Sequence, residues 1–244
     1  MFLITPLLVM FIFERFKYVH GQASTSFGAN LFKKKLATTC GPVRLGPSWT
    51  QSSQISCAVS CKERYPKTCH SFIYNKITHL CTPGSGVSTN QLPPSAKEGD
   101  LYVTDSCDSY PQFSILSYKS SSTFAVHIPV PVSYTQATVT CQCLDSHLYV
   151  AKTLEKFALF SNLINPNCTW LGLDDIQVEG QFLWSDDHQQ INPMLMRALF
   201  PLNRPDNALG YQNCVMGCGQ GLDDDFCTQK NPFICEKSNS LCRG

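Results

Sequence analysis

Fourteen cysteines limit the possible folds of this 244-residue sequence more than any other feature. Their number is even, and no Cys-x-x-Cys pair occurs anywhere in the chain. Zinc ribbons and thioredoxin-like redox sites depend on that spacing, so the pattern argues against both classes. Disulfides formed in an oxidising compartment are the expected state of these cysteines. We therefore expect a secreted, extracellular protein.

The N-terminal segment agrees with secretion. Residues 2–13 are almost wholly apolar, and small residues follow near Gly21 and Ala23. This order is typical of a signal peptide, which we place at residues 1–23. No basic residue precedes the apolar core, so a membrane anchor is the competing interpretation. The apolar run is too short to span a bilayer comfortably, and we expect no stable membrane insertion.

Charge and motif content argue against several function classes. The 19 Lys and Arg residues nearly balance the 18 Asp and Glu residues, and no long basic run occurs. Nucleic acid is therefore not an expected partner. The histidines are scattered, and no His-Glu-x-x-His, Gly-x-Ser-x-Gly or phosphate-loop motif is present. We expect no enzyme, and the absence of repeats argues against a structural matrix protein.

The spacing of the cysteines predicts two small disulfide-rich domains of the α+β class. One group lies at residues 40–107 and the other at residues 141–242, with no cysteine between residues 109 and 133. In the first group, residues 52–63 are predicted to form a short helix that places Cys57 and Cys61 on one face. The boundary is expected near residue 109.

The first group combines the helix with two cysteines, a strand-like run at residues 69–74, and the later Cys81. This combination resembles the PAN/apple family. The resemblance implies a PAN/apple-like domain at residues 24–108 that binds a protein or carbohydrate partner. The sequence alone leaves the pairing open, but the resemblance implies the disulfides Cys40–Cys107, Cys57–Cys81 and Cys61–Cys69.

The second group begins with a strand and two helices. Residues 113–119 alternate as a strand does, and Ser133 can cap a helix over residues 134–141. Residues 153–164 carry apolar side chains at helical spacing, which predicts a second amphipathic helix. Beyond residue 164 the pattern changes to short strands and turns.

Several short motifs occur in order in this second half. They are Trp170-Leu171-Gly172-Leu173, Glu179-Gly180, Trp184-Ser185-Asp186 and Phe233-Ile234-Cys235-Glu236. Their order resembles that of the C-type lectin family, which carries Trp-Ile-Gly-Leu, then Glu-Gly, then Trp-x-Trp-x-Asp-Gly, then closing strands with paired cysteines. Phe182 and Asp187 depart from the third motif. The resemblance implies a C-type lectin fold at residues 109–237, in which two helices pack on short antiparallel sheets beside a long binding loop. Residues 238–244 are left as a tail.

The lectin resemblance also implies two framework disulfides, Cys141–Cys235 and Cys214–Cys227. Four cysteines of this group remain, and an even remainder favours two further bonds over free thiols. We predict Cys143–Cys242 and Cys168–Cys218. A sequon at Asn167 predicts glycosylation, which is consistent with secretion.

In sugar-binding members of the family, five side chains of the long loop hold a calcium ion, and sugar hydroxyls complete its shell. Calcium takes roughly six to eight oxygen ligands. The corresponding positions here offer oxygens from four residues, but Arg204 cannot ligate because a guanidinium carries only donors. Asn207 is a further candidate for ligand binding. The predicted calcium ligands are Asp206, Gln212, Asp223 and Asp224.

Three interpretations of this loop stay open. A weakened calcium site persists, with Arg204 turned outward towards acidic or sialylated sugars. Alternatively, Arg204 pairs with Asp223 or Asp224 and replaces the ion, a role that suits guanidinium–carboxylate geometry. Third, residues 223–225 form an ordinary solvated turn. Asp206 resembles the galactose-type pattern in one position only, so sugar specificity stays open.

A second calcium site from Asp174, Asp175 or Glu179 is a weaker expectation, since these residues are more typical of turns and caps. The leading hypothesis is recognition of glycans or glycoproteins, with calcium as the candidate cofactor. The rival hypothesis is a calcium-independent, protein-binding module of a defence, venom or mucus component.

Overall fold

The computed structural model describes residues 32–35, 40–104, 107–110, 112–164, 168–219 and 221–237. Contacts between Cα atoms divide the chain into two compact units. The first unit contains the described residues 32–35, 42–87, 94–104 and 107–109, and the second contains residues 40–41, 88–93 and the described residues from 110 onward. The predictions for residues 1–23, Asn167 and residues 238–244 concern parts of the chain outside the described ranges.

In its described residues, the first unit has a six-stranded sheet and one α-helix, α1 (Gln54–Arg64). Strand order is β1-β6-β4-β5-β2, with β3 beside β5. The predicted helix is confirmed, and Ser53 caps it by accepting a hydrogen bond from the backbone N–H of Ser56. The strands are β1 (Phe32–Lys35), β2 (Gly41–Arg44), β3 (Trp49–Thr50), β4 (Ser71–Tyr74), β5 (Leu80–Ser88) and β6 (Asp100–Thr104).

Two disulfides fasten α1 within this unit. Cys57–Cys81 joins the helix to β5, and Cys61–Cys69 joins it to the segment before β4. All four of these cysteines are fully buried. Both bonds are the ones that the PAN/apple resemblance implies, whereas the likeness of the whole unit to that family stays a prediction.

The prediction of Cys40–Cys107 is wrong, because Cys40 bonds to Cys143 at a Cα–Cα distance of 6.2 Å. The physical reason is that Cys40 makes its contacts with the second unit, so the nested pattern does not extend to it. The prediction of Cys143–Cys242 is also wrong, because Cys143 bonds to Cys40. The predicted Cys168–Cys218 bond is present.

The second unit is an eight-stranded sheet with three helices. Strand order is β13-β12-β10-β14-β8-β7, with β11 beside β10 and β9 beside β14. The strands are β7 (Ser114–Tyr118), β8 (Ser121–Val132), β9 (His147–Leu148), β10 (Thr169–Asp174), β11 (Leu183–Trp184), β12 (Cys214–Cys218), β13 (Gly221–Asp225) and β14 (Asn231–Lys237), and the helices are α2 (Tyr134–Cys143), α3 (Leu154–Ile164) and α4 (Pro193–Leu199).

Both predicted helices of this unit are confirmed. Helix α2 begins with a capping box, in which the Ser133 side chain accepts from the backbone of Gln136 and the Gln136 side chain accepts from the backbone of Ser133. Helix α3 buries Leu159, Phe160 and Ile164, which recur near helical spacing.

The core of the second unit surrounds β10. Trp170 is fully buried, donates its indole N–H to the carbonyl of Val132 at 2.9 Å, and packs edge-on against Tyr134. The indole N–H connects β10 to β8 through Val132, and the ring connects β10 to α2 through Tyr134.

Disulfides close the frame around this core. Cys141–Cys235 ties α2 to β14, and Cys214–Cys227 ties β12 to the turn after β13. Both are the bonds that the lectin resemblance implies. Each is expected to stabilise the fold by roughly 2–4 kcal/mol. Among the described residues, no helix combines the length and apolar character that crossing a membrane requires.

Candidate functional site

The six predicted ligand-binding residues come together at one end of the second unit. Four of them lie in the loop between α4 and β12, and Asp223 and Asp224 lie on β13. Strand β13 pairs antiparallel with β12 and aligns Asp224 with Val215 and Asp223 with Met216. The sheet therefore fixes the two aspartates, while hydrogen bonds to the loop backbone have to fix the remaining four residues.

Asp224 holds the loop in place. Its side chain is almost completely buried, and its two carboxylate oxygens accept from the backbone N–H groups of Asp206 at 2.9 Å and Asn207 at 2.7 Å. Hydrogen bonds to a carboxylate are among the stronger ones in proteins. Asp224 is thus a positioning residue for the loop, and both of its oxygens are already engaged.

Gln212 and Asn207 close the short turn at Ala208–Gly210. The side-chain oxygen of buried Gln212 accepts from the backbone N–H of Ala208 at 2.6 Å. In return, the backbone N–H of Gln212 donates to the side-chain oxygen of Asn207 at 3.1 Å. Asn207 takes a left-handed conformation with φ of 40°, which asparagine tolerates better than most residues. The turn is therefore held by these two side chains.

Arg204 lies between two carboxylates. Its Nη1 atom is 2.7 Å from Oδ2 of Asp206 and 3.3 Å from Oδ1 of Asp223. The Arg204 side chain is 38% exposed, so one side of the guanidinium still faces solvent. A cation of the chain itself thus lies between two of the four predicted calcium ligands.

Asp223 contacts Arg204, and the pKa of its carboxyl is raised. Burial raises the pKa of its carboxyl to about 6; the Arg204 cation opposes this, while the charges of Asp224 and Asp206 add to it. Its Oδ1 atom is buried and close to Arg204, but it accepts no well-aligned hydrogen bond. One arginine therefore does not fully compensate the three carboxylates around it.

These residues, as arranged, do not fit a calcium ion. Both oxygens of Asp224 and the side-chain oxygen of Gln212 accept backbone N–H groups, and Asp206 pairs with Arg204. A calcium ion requires roughly six or more free oxygens turned towards it. In the described part of the chain, no group of three or more His, Cys, Asp or Glu side chains is placed to hold a metal.

The residues of the weaker, second predicted calcium site have different hydrogen-bond partners and do not form one site. Asp174 accepts a hydrogen bond from the hydroxyl of Tyr134 at 2.9 Å. Asp175 is nearly fully buried, and its Oδ2 accepts from the backbone N–H of Gly180 at 2.7 Å, which closes the turn. Burial raises the pKa of Asp175 to about 6, although the hydrogen bond from Gly180 opposes this. Glu179 points to solvent on the same turn.

Three exposed apolar residues of the same loop were missed from the sequence. Leu202 is 91% exposed, Leu209 is 83% exposed and Tyr211 is 74% exposed. In the sequence, large apolar residues within a loop rich in Asn, Pro and Gly could have indicated exposed apolar side chains. They give the loop that contains Arg204 exposed apolar area as well as charge.

Comparisons with known proteins agree with the architecture of the second unit. Residues 130–237 match the family model described as the lectin C-type domain. The CD209 antigen of Papio hamadryas is 31% identical over 108 residues, which is 43% of this chain and 29% of that protein. The human CD209 antigen is 30% identical over 105 residues, which is 42% of this chain and 25% of that protein. The chain thus spans less than a third of the length of these curated relatives.

Among solved structures, the C-type carbohydrate-recognition domain of cow CD23 is similar, with 22% identity and a TM-score of 0.45. The match covers 53% of this chain and 95% of that one. A calcium-independent type II antifreeze protein is also similar, with 18% identity, a TM-score of 0.43 and coverage of 52% and 92%.

Proposed function

Because residues 130–237 carry a lectin C-type domain, we propose that this protein recognises glycans through the loop that contains Arg204, and that it does so without calcium. The observation that supports the absence of calcium is the position of the guanidinium, between Asp206 and Asp223. The first part of the proposal rests on the match of residues 130–237 to the family model of the lectin C-type domain.

The exposed groups of the loop suit a sugar. The Asp206 side chain is 40% exposed and can accept hydrogen bonds from hydroxyl groups, while Arg204 can donate to them. Charged partners roughly double the strength of such hydrogen bonds. The exposed ring of Tyr211 offers a flat apolar face to the C–H groups of a pyranose. Charge and apolar face together favour a hydroxyl-rich, partly apolar ligand.

Arg204 takes over two tasks that a calcium ion would perform. It compensates the carboxylates of Asp206 and Asp223, and it keeps the loop near β13 by pairing across the gap between them. Asp224 then holds the loop backbone directly. The loop is therefore formed before a ligand arrives, which lowers the entropic cost of binding.

A glycan array probed with the purified chain tests the proposal. We expect the same glycans to be bound in calcium and in chelator. Asp206→Asn is expected to weaken binding by roughly tenfold, in line with the loss of one charged hydrogen bond. Asp187→Asn, which changes an exposed aspartate outside the loop, is the matched control. No glycan bound under either condition would refute glycan recognition, whereas binding that chelator abolishes would refute only its independence of calcium.

A second candidate function is binding of a protein surface by the same loop. The observation that favours it is the exposure of Leu202, Leu209 and Tyr211, because apolar side chains beside an arginine are typical of protein-interface centres. A mucin compared before and after enzymatic deglycosylation separates the two functions. Binding that survives deglycosylation supports protein recognition, and binding that is lost supports glycan recognition.

We further propose that the protein is secreted after removal of residues 1–23, that Asn167 is glycosylated, and that residues 24–108 form a PAN/apple-like domain with a protein or carbohydrate partner. The Cys57–Cys81 and Cys61–Cys69 bonds support the last of these proposals. N-terminal sequencing of the protein from culture medium, and its mass before and after glycosidase treatment, test the first two.

A further inference from the structure

A cavity of about 370 Å³ lies in the second unit away from the Arg204 loop. One wall is the exposed face of α2, and the other is formed by the turn after β10 together with β11 and the turn that follows. None of the six residues of the candidate site lines it. Its size is in the range of small-ligand sites, which begins at roughly 300 Å³.

Local structure fixes both walls. On α2, Tyr134, Thr138 and Gln142 follow one another at a spacing of four residues and so share one helix face. The capping box at Ser133 fixes the beginning of that helix. On the other side, Asp174 is the last residue of β10, so the sheet determines where its carboxylate lies.

The cavity carries one clear charge. Asp174 is the one Asp, Glu, Lys or Arg among the described residues that line it. Its Oδ2 atom accepts from the hydroxyl of Tyr134 at 2.9 Å, and Tyr134 is itself 3% exposed. Besides Tyr134, the other titratable group of the lining is His188, which lies in the turn after β11, is exposed, and lowers the pKa of Asp174 through its charge. Among the described lining residues, no lysine or arginine compensates the carboxylate.

The remaining lining is mixed in polarity. Val139, Ile176 and Leu183 give apolar walls, while the amides of Gln142 and Gln177 lie at exposed positions on the rim. A ligand that fits must place an alkyl part against these walls and a hydrogen-bond donor, preferably a positive one, against Asp174. An anion would meet a carboxylate without a neighbouring arginine or lysine.

We propose that this cavity binds a primary ammonium group on a short alkyl chain, with Asp174 as its acceptor. The chain can belong to a free alkylamine or to a lysine side chain of a partner. Burial raises the pKa of Asp174, while the Tyr134 hydroxyl, the backbone of Ile176 and the charge of His188 lower it, so its charge is only partly compensated. A bound cation supplies the missing compensation.

Titration of the full chain with n-butylammonium, followed by NMR shifts, tests this proposal. We expect n-butanol, which has a similar shape but no charge, to bind at least about tenfold more weakly, because hydrogen bonds to a charged group exceed neutral ones. Asp174→Asn is expected to weaken n-butylammonium to a similar extent. Nα-acetyl-lysine amide separates the two sources: binding assigns the cavity to lysine side chains as well, and its failure beside bound butylammonium assigns it to free amines.

A surface variant keeps the test meaningful if Asp174→Asn does not fold. Gln142→Lys adds a cation to the exposed rim without altering the buried Tyr134–Asp174 pair, and is expected to weaken n-butylammonium by severalfold. Gln181→Lys adds the same charge at an exposed position that does not line the cavity. Equal binding of n-butanol and n-butylammonium, or equal effects of the two lysine variants, would overturn the proposal, whatever the glycan array shows.

Discussion

The charge on Asp223 gives the sharpest prediction about the candidate site. Its side chain is 25% exposed, and its pKa is raised from 3.8 to about 6 because burial and the neighbouring charges of Asp224 and Asp206 outweigh the attraction of Arg204. Asp223→Asn keeps the shape of the side chain and removes the charge. We predict that this variant is more stable than the wild type at neutral pH.

The magnitude follows from the pKa of the folded state. A raised carboxyl pKa contributes stability that is fully present below the unfolded value and is lost as the pH rises through the folded value. One pKa unit corresponds to about 1.4 kcal/mol, so above pH 6 the ionised Asp223 costs the folded state on the order of 3 kcal/mol. The amide of the variant can also donate to Asp224. We expect a gain of about 1–3 kcal/mol near pH 7.5, and little gain below about pH 4.

Thermal unfolding in chelator, with the disulfides intact, measures this gain. For a chain of this size, 1 kcal/mol corresponds to about 2–4 °C in Tm. Asp225→Asn is the matched control, because Asp225 lies on the same strand and its carboxylate accepts from the adjacent backbone N–H of Phe226 at 2.7 Å. An unchanged or lower Tm for Asp223→Asn near neutral pH would refute the charge arrangement derived from Arg204, Asp223 and Asp224.

Two further predictions concern the loop and the core. Arg204→Glu replaces the internal cation with a carboxylate and frees the oxygens of Asp206 and Asp223 that it pairs with, so we expect calorimetry to show calcium binding that the wild type lacks; no calcium affinity in the variant would contradict the claim that Arg204 is what excludes the ion. Gly217→Ala is expected to destabilise the fold by about 1–3 kcal/mol, since its Cβ atom would lie 2.1 Å from the Phe160 ring, whereas Gly219→Ala, with nothing within 4 Å, should change Tm little in the same unfolding assay.

The sequence predicted those elements that short-range signals determine. Ser133 marks the beginning of α2 because a side-chain oxygen that accepts the first free N–H groups can be identified locally. The prediction of Cys40–Cys107 failed because a disulfide depends on which parts of the chain meet in space. Cys40 meets Cys143, and no local pattern indicates that contact.

For the candidate site, the sequence predicted where the residues lie but not what each side chain contacts. The lectin resemblance placed Arg204, Asp206 and Asp224 in one region, and the structure brings them together there. Their roles depend on side-chain direction and burial, which the sequence does not encode locally. Arg204 contacts Asp206 and Asp223, whereas Asp224, named as one of its two candidate partners, accepts backbone N–H groups instead.

Thermal unfolding of the wild-type chain across a calcium titration tests the central claim most directly. A ligand that binds the folded state stabilises it by about 2.7 kcal/mol at a hundred times its Kd, so a calcium site would raise Tm steadily with calcium concentration. Since Arg204 already lies between Asp206 and Asp223, we predict the same Tm in chelator and in saturating calcium. A Tm that rises with calcium would contradict this account and would show that the guanidinium gives way to the ion.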